Sequence, residues 1–141
     1  MRSVARAVRV LLTTFLIGAA LAAQSAPSPH PAPQTTPLPD SPSRGAEIYE
    51  AKCGACHSLD FNRVGPKHRG VFGRKAASVP GFHYSSALKK LNVTWNAVTL
   101  DRWLQNPTAM APGTAMGFRL SDQSERADVI AYLRQQSAQH K

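Results

Sequence analysis

The chain has 141 residues, 43% hydrophobic and 18% charged, a balance that fits one globular domain and excludes a large multi-domain enzyme. Seventeen Lys+Arg against eight Asp+Glu set a formal charge of +9, and two cysteines exclude both a disulfide framework and a four-cysteine zinc site.

At the N-terminus, Arg2, Arg6 and Arg9 precede an uncharged apolar run from Val10 to Ala23 that contains Ala20-Leu21-Ala22, an A-x-A site. This pattern predicts a secretory signal peptide over residues 1–22, cleaved after Ala22. The competing reading is an uncleaved membrane anchor, for which the fourteen residues of the run fall short of the ~20 that cross hydrocarbon. Residues 23–42 hold seven of the eleven prolines. Proline fixes φ and lacks an N–H, so this stretch is expected to be an extended linker. The folded domain is then residues 43–141, where 14 Lys+Arg and 7 Asp+Glu leave +7.

Within the domain, Ser43 can cap a helix over Arg44 to Cys56 with Glu47 in its early turns. Leu59 to Tyr84 is rich in glycine and keeps no period, so it reads as loops. Ser85 or Ser86 starts a short helix ending near Asn92. Asn96 caps another that runs to Asn106 and stops at Pro107. Asp122 with Glu125 resembles a capping box. It opens a last helix whose Ala127, Val129, Ile130 and Leu133 form an apolar stripe reaching to Gln136. Three substantial helices, one short helix and long loops make an all-α fold. So small a domain has a marginal core, which a covalently held prosthetic group would supplement.

Both cysteines fall in Cys53-Gly54-Ala55-Cys56-His57, the C-x-x-C-H signature of c-type haem attachment. Thiols at i and i+3 can form thioethers with the two haem vinyl groups, and His57 follows where its imidazole can reach the iron. A thioredoxin-like dithiol would need a βαβ context, and half a zinc site would need a second Cys/His pair. The second axial ligand is open on these grounds. Met116, in a Pro-Gly loop, and Met110 can offer a thioether; His68, His83, His30 and His140 can offer an imidazole.

Further runs follow in order: Gly45-Ala46-Glu47-Ile48-Tyr49, Gly65-Pro66, Gly73-Arg74-Lys75, Pro80-Gly81-Phe82-His83-Tyr84, Thr94-Trp95, Asn106-Pro107, Pro112-Gly113-Thr114-Ala115-Met116 and Glu125 to Leu133. Together with the C-x-x-C-H run, they resemble the mitochondrial-type and bacterial class I cytochromes c over Arg44 to Arg134. The resemblance implies a single-domain fold around one covalent haem c, with His57 and Met116 on the iron. It implies that the Pro66 carbonyl accepts the proximal histidine's Nδ1–H. It places Arg74, Tyr84, Ser85 and Trp95 near the haem propionates, adds Thr114 to the haem contacts, and has Gly45 and Tyr49 crossing the last helix at Val129 and Tyr132.

Departures from the family pattern are as telling. His68 stands where the family has a leucine, Leu88 where mitochondrial members have an asparagine, and Trp103 where they have a tyrosine. Tryptophan donates a hydrogen bond but cannot accept one. Thr108, Ala109 and Ala115 replace lysines around the methionine loop, while Lys52 and Arg63 are expected to remain available near the haem edge. For His68 three fates compete: a packed neutral ring with one hydrogen bond, a propionate neighbour, or an alternative iron ligand.

The function expected from all this is an exported one-electron carrier, not an enzyme, shuttling between periplasmic or membrane redox partners. The alternative is a haem-based peroxidase or ligand-binding cytochrome with a displaceable Met116. A reductase, oxidase or dehydrogenase is the expected partner, with no nucleic acid and with membrane contact only if the N-terminal segment is retained. The protein is expected to be a periplasmic monomer.

Overall fold

The computed structural model describes residues 40–139. The predicted signal peptide, most of the linker, His30 and His140 lie outside them. Among the described residues five helices follow in order: α1 (Pro42–Lys52), α2 (Ser86–Lys90), α3 (Ala97–Gln105), α4 (Pro107–Met110) and α5 (Gln123–Ala138). Strand pairing among the described residues is confined to an isolated antiparallel bridge between Lys75 and Thr94.

The first helix starts earlier and ends sooner than the sequence suggests. Ser41, not Ser43, is its cap: Ser41 Oγ accepts from the Arg44 amide at 3.3 Å. Pro42 takes the first helical position, where its missing N–H is no loss. At the other end the Cys53 and Gly54 amides share the Tyr49 carbonyl at 2.8 and 2.9 Å. The Cys56 and His57 amides then share the Cys53 carbonyl at 3.0 and 2.8 Å. The attachment motif is therefore a tight turn after the helix rather than its last turn.

Ser85 caps α2 and Asn96 caps α3, the latter by a full box with Thr99. Pro107 stops α3 and also begins α4, an extra turn capped by the Asn106 side chain, which accepts from the Ala109 amide at 3.2 Å. The expected box at α5 forms by half. Asp122 accepts from the Glu125 amide at 2.9 Å, but the Glu125 carboxylate meets Lys52 Nζ at 2.6 Å instead of returning to the cap. That ion pair ties the end of α1 to the start of α5.

Helices α1 and α5 cross where Gly45 lies against the backbone of Asp128, with the Tyr49 and Tyr132 rings 5.4 Å apart beside it. Tyr49, Leu100, Trp103, Leu104, Val129 and Leu133 form the buried core between α1, α3 and α5. The side chain of Arg126, also buried, donates to Asp101 and to the carbonyls of Leu120 and Ser121, which anchors the return of the long 111–122 loop.

Asp128 is almost completely buried and accepts from the Ser41 amide at 2.8 Å and from the Arg44 guanidinium, with Nη2 at 3.0 Å. Burial alone pushes its carboxyl up, but Arg44 and the Ser41 amide outweigh it and hold the group below its ordinary 3.8. A carboxylate held down on folding stabilises the fold above its unfolded value and loses that contribution as pH falls through the folded one. Asp128→Asn is expected to destabilise the protein by roughly 2–4 kcal/mol near neutrality, since it strands the partners of a buried charge. Melting curves from pH 7 downward are expected to show the gap between parent and variant closing in acid. A pH-independent gap would assign the loss to packing alone.

Candidate haem site

One large cavity, about 340 Å³, opens between the helices and the 57–85 and 111–118 loops. Cys53, Cys56, His57, Pro66, Arg74, Tyr84, Ser85, Trp95, Thr114 and Met116 all line it. The sequence scatters these residues over more than sixty positions; the fold brings them to one wall or another of the same space. Val71, Leu88, Leu100, Leu104, Val129 and Leu133 supply apolar surface between them. Met110 packs on the core and is not among the lining residues.

On the cysteine side, Cys53 is buried and Cys56 exposed. Burial, then the neighbouring Cys56, pushes the Cys53 thiol up to about 11. His57 is also buried, and its Nδ1 lies 2.8 Å from the Pro66 carbonyl oxygen. That bond assigns the proton to Nδ1 and leaves Nε2 as the free electron pair. Burial lowers the imidazole's pKa, and the Pro66 bond offsets part of the fall. A neutral ring with a free Nε2 is what a metal ligand requires.

On the methionine side, Gly113 turns the chain at φ 87, a conformation open to glycine. The Thr114 amide closes that turn on the Ala111 carbonyl at 3.0 Å, and the Leu120 amide pins the loop's far end to Leu104 at 2.8 Å. Trp103 Nε1 donates to Met116 Sδ at 3.2 Å. The sequence marks Trp103 as a donor but contains no signal for its acceptor.

The polar end of the cavity holds Arg74, whose guanidinium donates to the Lys67 and Arg69 carbonyls at 2.8 and 3.0 Å. Burial lowers its pKa, and Tyr84 raises it in part. It has no carboxylate partner among the described residues. Tyr84 accepts from the Val79 amide at 3.2 Å, which leaves its phenolic proton free to donate. Ser85 Oγ accepts from the Leu88 amide as the cap of α2 and likewise keeps its hydroxyl proton to donate. A half-buried cation beside uncommitted donors at the end of an apolar slot is complementary to a flat apolar group with carboxylates along one edge.

Two expectations change. Lys52 and Arg63 are tied down, Lys52 by Glu125 and Arg63 by the Gly54 carbonyl at 2.8 Å. The hydrogen bond expected of His68 is not made at Nδ1, which is buried without a partner among the described residues, and the ring stacks on His57. Burial, then His57 and Arg74, lowers its pKa well below the ordinary value, so the ring is neutral.

A helical shell around such a slot, with a C-x-x-C-H turn in its wall, defines a c-type haem protein. The cytochrome c family profile matches residues 42–137. Cytochrome c2 of Rhodomicrobium vannielii is 43% identical over 102 residues, covering 70% of this chain and 81% of that protein. Cytochrome c of Ulva intestinalis is 39% identical over 104 residues, covering 71% and 94%. The solved structure of cytochrome cH from Methylobacterium extorquens superposes with a TM-score of 0.65 at 39% identity, covering 67% of this chain and 98% of that one. The chain belongs to the cytochrome c family: it is an electron-transfer protein, not an enzyme, and carries one covalent haem c.

Proposed function

We propose that this protein is an exported one-electron carrier in which Cys53 and Cys56 hold the haem by thioethers and His57 and Met116 bind its iron. One observation carries the reading. The two donors line one cavity, and each is held by a further bond, His57 from Pro66 and Met116 from Trp103. When bound, the haem supplies a reversible Fe(III)/Fe(II) couple, whose ferrous form a thioether favours.

The chain's own residues do the rest. With His57 and Met116 both holding the iron, no coordination position would be left for a substrate, which favours electron transfer over catalysis. The apolar walls keep water from the metal and lower the reorganisation that accompanies a change of charge. Arg74, Tyr84, Ser85, Trp95 and Thr114, which line the cavity, would receive the propionate edge. Val64 and Phe118 line the cavity yet are 80% and 42% exposed, so they give a partner apolar contact at its mouth. The exposed Lys75, Lys89 and Lys90 add positive charge that steers an acidic docking face. The partners are redox proteins of the reductase, oxidase or dehydrogenase kind.

Residues 1–22 act as the export signal, 23–42 as a linker and 43–141 as the carrier domain, which works in the periplasm as a monomer. No helix among the described residues is long and apolar enough to cross a membrane. Membrane attachment would therefore depend on retention of the N-terminal segment.

The test combines spectra with a redox titration of the exported holoprotein. A single one-electron wave and a weak near-infrared sulfur–Fe(III) band are expected. Met116→Ala is expected to abolish the band and open the iron to added ligands, while Met110→Ala leaves it intact. The reverse result would assign the wrong methionine, and a high-spin parent would favour ligand chemistry. An intact mass beginning at Ala23 checks the cleavage.

A further inference from the structure

His68 lines the cavity, and the carrier function leaves its polar ring without a task. Its ring lies 3.9 Å from that of His57, centroid to centroid, with the planes 20° apart. Tyr49 meets it edge-on at 5.7 Å and 61°. Its Nδ1 is buried with no hydrogen-bond partner among the described residues. An unpartnered buried polar atom lowers stability, and an aliphatic side chain of similar size would avoid the penalty. What an aliphatic chain lacks is a flat face.

The other side of His57 is just as confined. A Cβ built on Gly65 would fall 2.1 Å from His57 Cε1 and 2.5 and 2.6 Å from its two nitrogens, a position above the ring face. A ring stacked at 3.9 Å already fills one face, so Gly65 backs the opposite one. The Pro66 carbonyl fixes the ring's edge at Nδ1. Face, opposite face and edge together leave the imidazole no free rotation about its bond to Cβ.

We propose that His68 is a positioning residue: stacked on His57, it sets the plane of the axial imidazole against the Gly65 backbone and the Pro66 carbonyl. Offset aromatic stacking has a preferred parallel geometry. A leucine would fill the same volume through branched rotamers and impose no plane. The inference rests on His57 being an iron ligand. The orientation of an axial imidazole plane sets the splitting of the iron d orbitals, and hence the magnetic anisotropy of the ferric state.

The test uses the holoprotein of the parent, His68→Leu and His68→Phe. In the reduced parent, nuclear Overhauser contacts between the His57 and His68 ring protons are expected, and their absence would overturn the stack. In the ferric state, His68→Leu is expected to change the electron paramagnetic g values and the spread of the haem methyl resonances. His68→Phe, which keeps a flat ring, is expected to restore the parent pattern. Parent-like spectra for the leucine variant would remove His68 from the orientation of His57. Equal shifts in both variants would assign the effect to polarity rather than to stacking. A parent without the low-spin signal of a histidine-ligated iron would instead overturn the ligand assignment on which the inference rests.

Discussion

Gly45→Ala is expected to be the most damaging single-methyl change in the domain. A Cβ at this position would lie 2.0 Å from the Asp128 carbonyl oxygen, 2.6 Å from its carbon and 2.9 Å from Tyr132 Cβ. Two of those three atoms are helix backbone and cannot rotate away. The axes of α1 and α5 would have to separate, and the separation would reach the Tyr49–Tyr132 contact, the Arg44–Asp128 pair and the Lys52–Glu125 pair together. Overpacking alone costs about 1–3 kcal/mol, and loss of the surrounding contacts carries the expected total to about 3 kcal/mol or more. Against a typical stability of about 5–15 kcal/mol that is a large fraction. Urea unfolding of the holoprotein is expected to show a lower midpoint with an unchanged slope. Val98→Ala is the control, because that side chain is 65% exposed and lies away from the cavity; its effect is expected to stay within about 0.5 kcal/mol. Equal midpoints for the two variants would mean that the helices part cheaply.

Gly65→Ala is expected to be the most damaging change for the haem. Here the added methyl overlaps a side chain, and side chains ordinarily yield. His57 cannot, because Pro66 holds its Nδ1 and His68 closes the face toward which it would move. Either the imidazole tilts or the 57–66 loop shifts, and the Gly65 amide, bonded to the Cys56 carbonyl at 2.9 Å, opposes the shift. The expected result is a destabilisation of about 2–3 kcal/mol, together with partial loss of the low-spin ferric spectrum. The spectral change separates this variant from Gly45→Ala, which is expected to unfold more easily with its haem environment intact. A Gly65→Ala protein with the parent's spectrum and midpoint would show that the loop gives way without disturbing His57.

The outline of the helices is legible in the chain because capping is local chemistry. Ser85, Asn96 and Asp122 each sit within three residues of the amide they satisfy; Asn96 and Asp122 cap as their sequence context indicates, and Ser85 is one of the two serines that context leaves open. The start of α1 is not legible in that way. Ser41 and Ser43 are both acceptable caps, and the choice falls to Ser41 because its amide reaches Asp128, 87 residues later. The end of α1 follows from a shared carbonyl at Tyr49, which helical spacing alone does not reveal. The extra turn α4 hides behind Pro107, which reads as a stop and serves also as a start.

By itself the sequence determined the chemistry that lies within one turn of chain: the attachment motif, whose residues act at i, i+3 and i+4, and the proline-glycine turn before Met116. It also determined, by the order of its motifs, the family. Tertiary structure alone decided which distant groups meet. The Trp103 indole finds the methionine sulfur, Lys52 pairs with Glu125, and His68 lies on His57 with its Nδ1 unpartnered among the described residues. The physical reason is one of range. Capping and turn geometry act between neighbours and leave a local signature, whereas ring stacking and an N–H to sulfur bond arise only when a closed core brings separate segments into van der Waals contact.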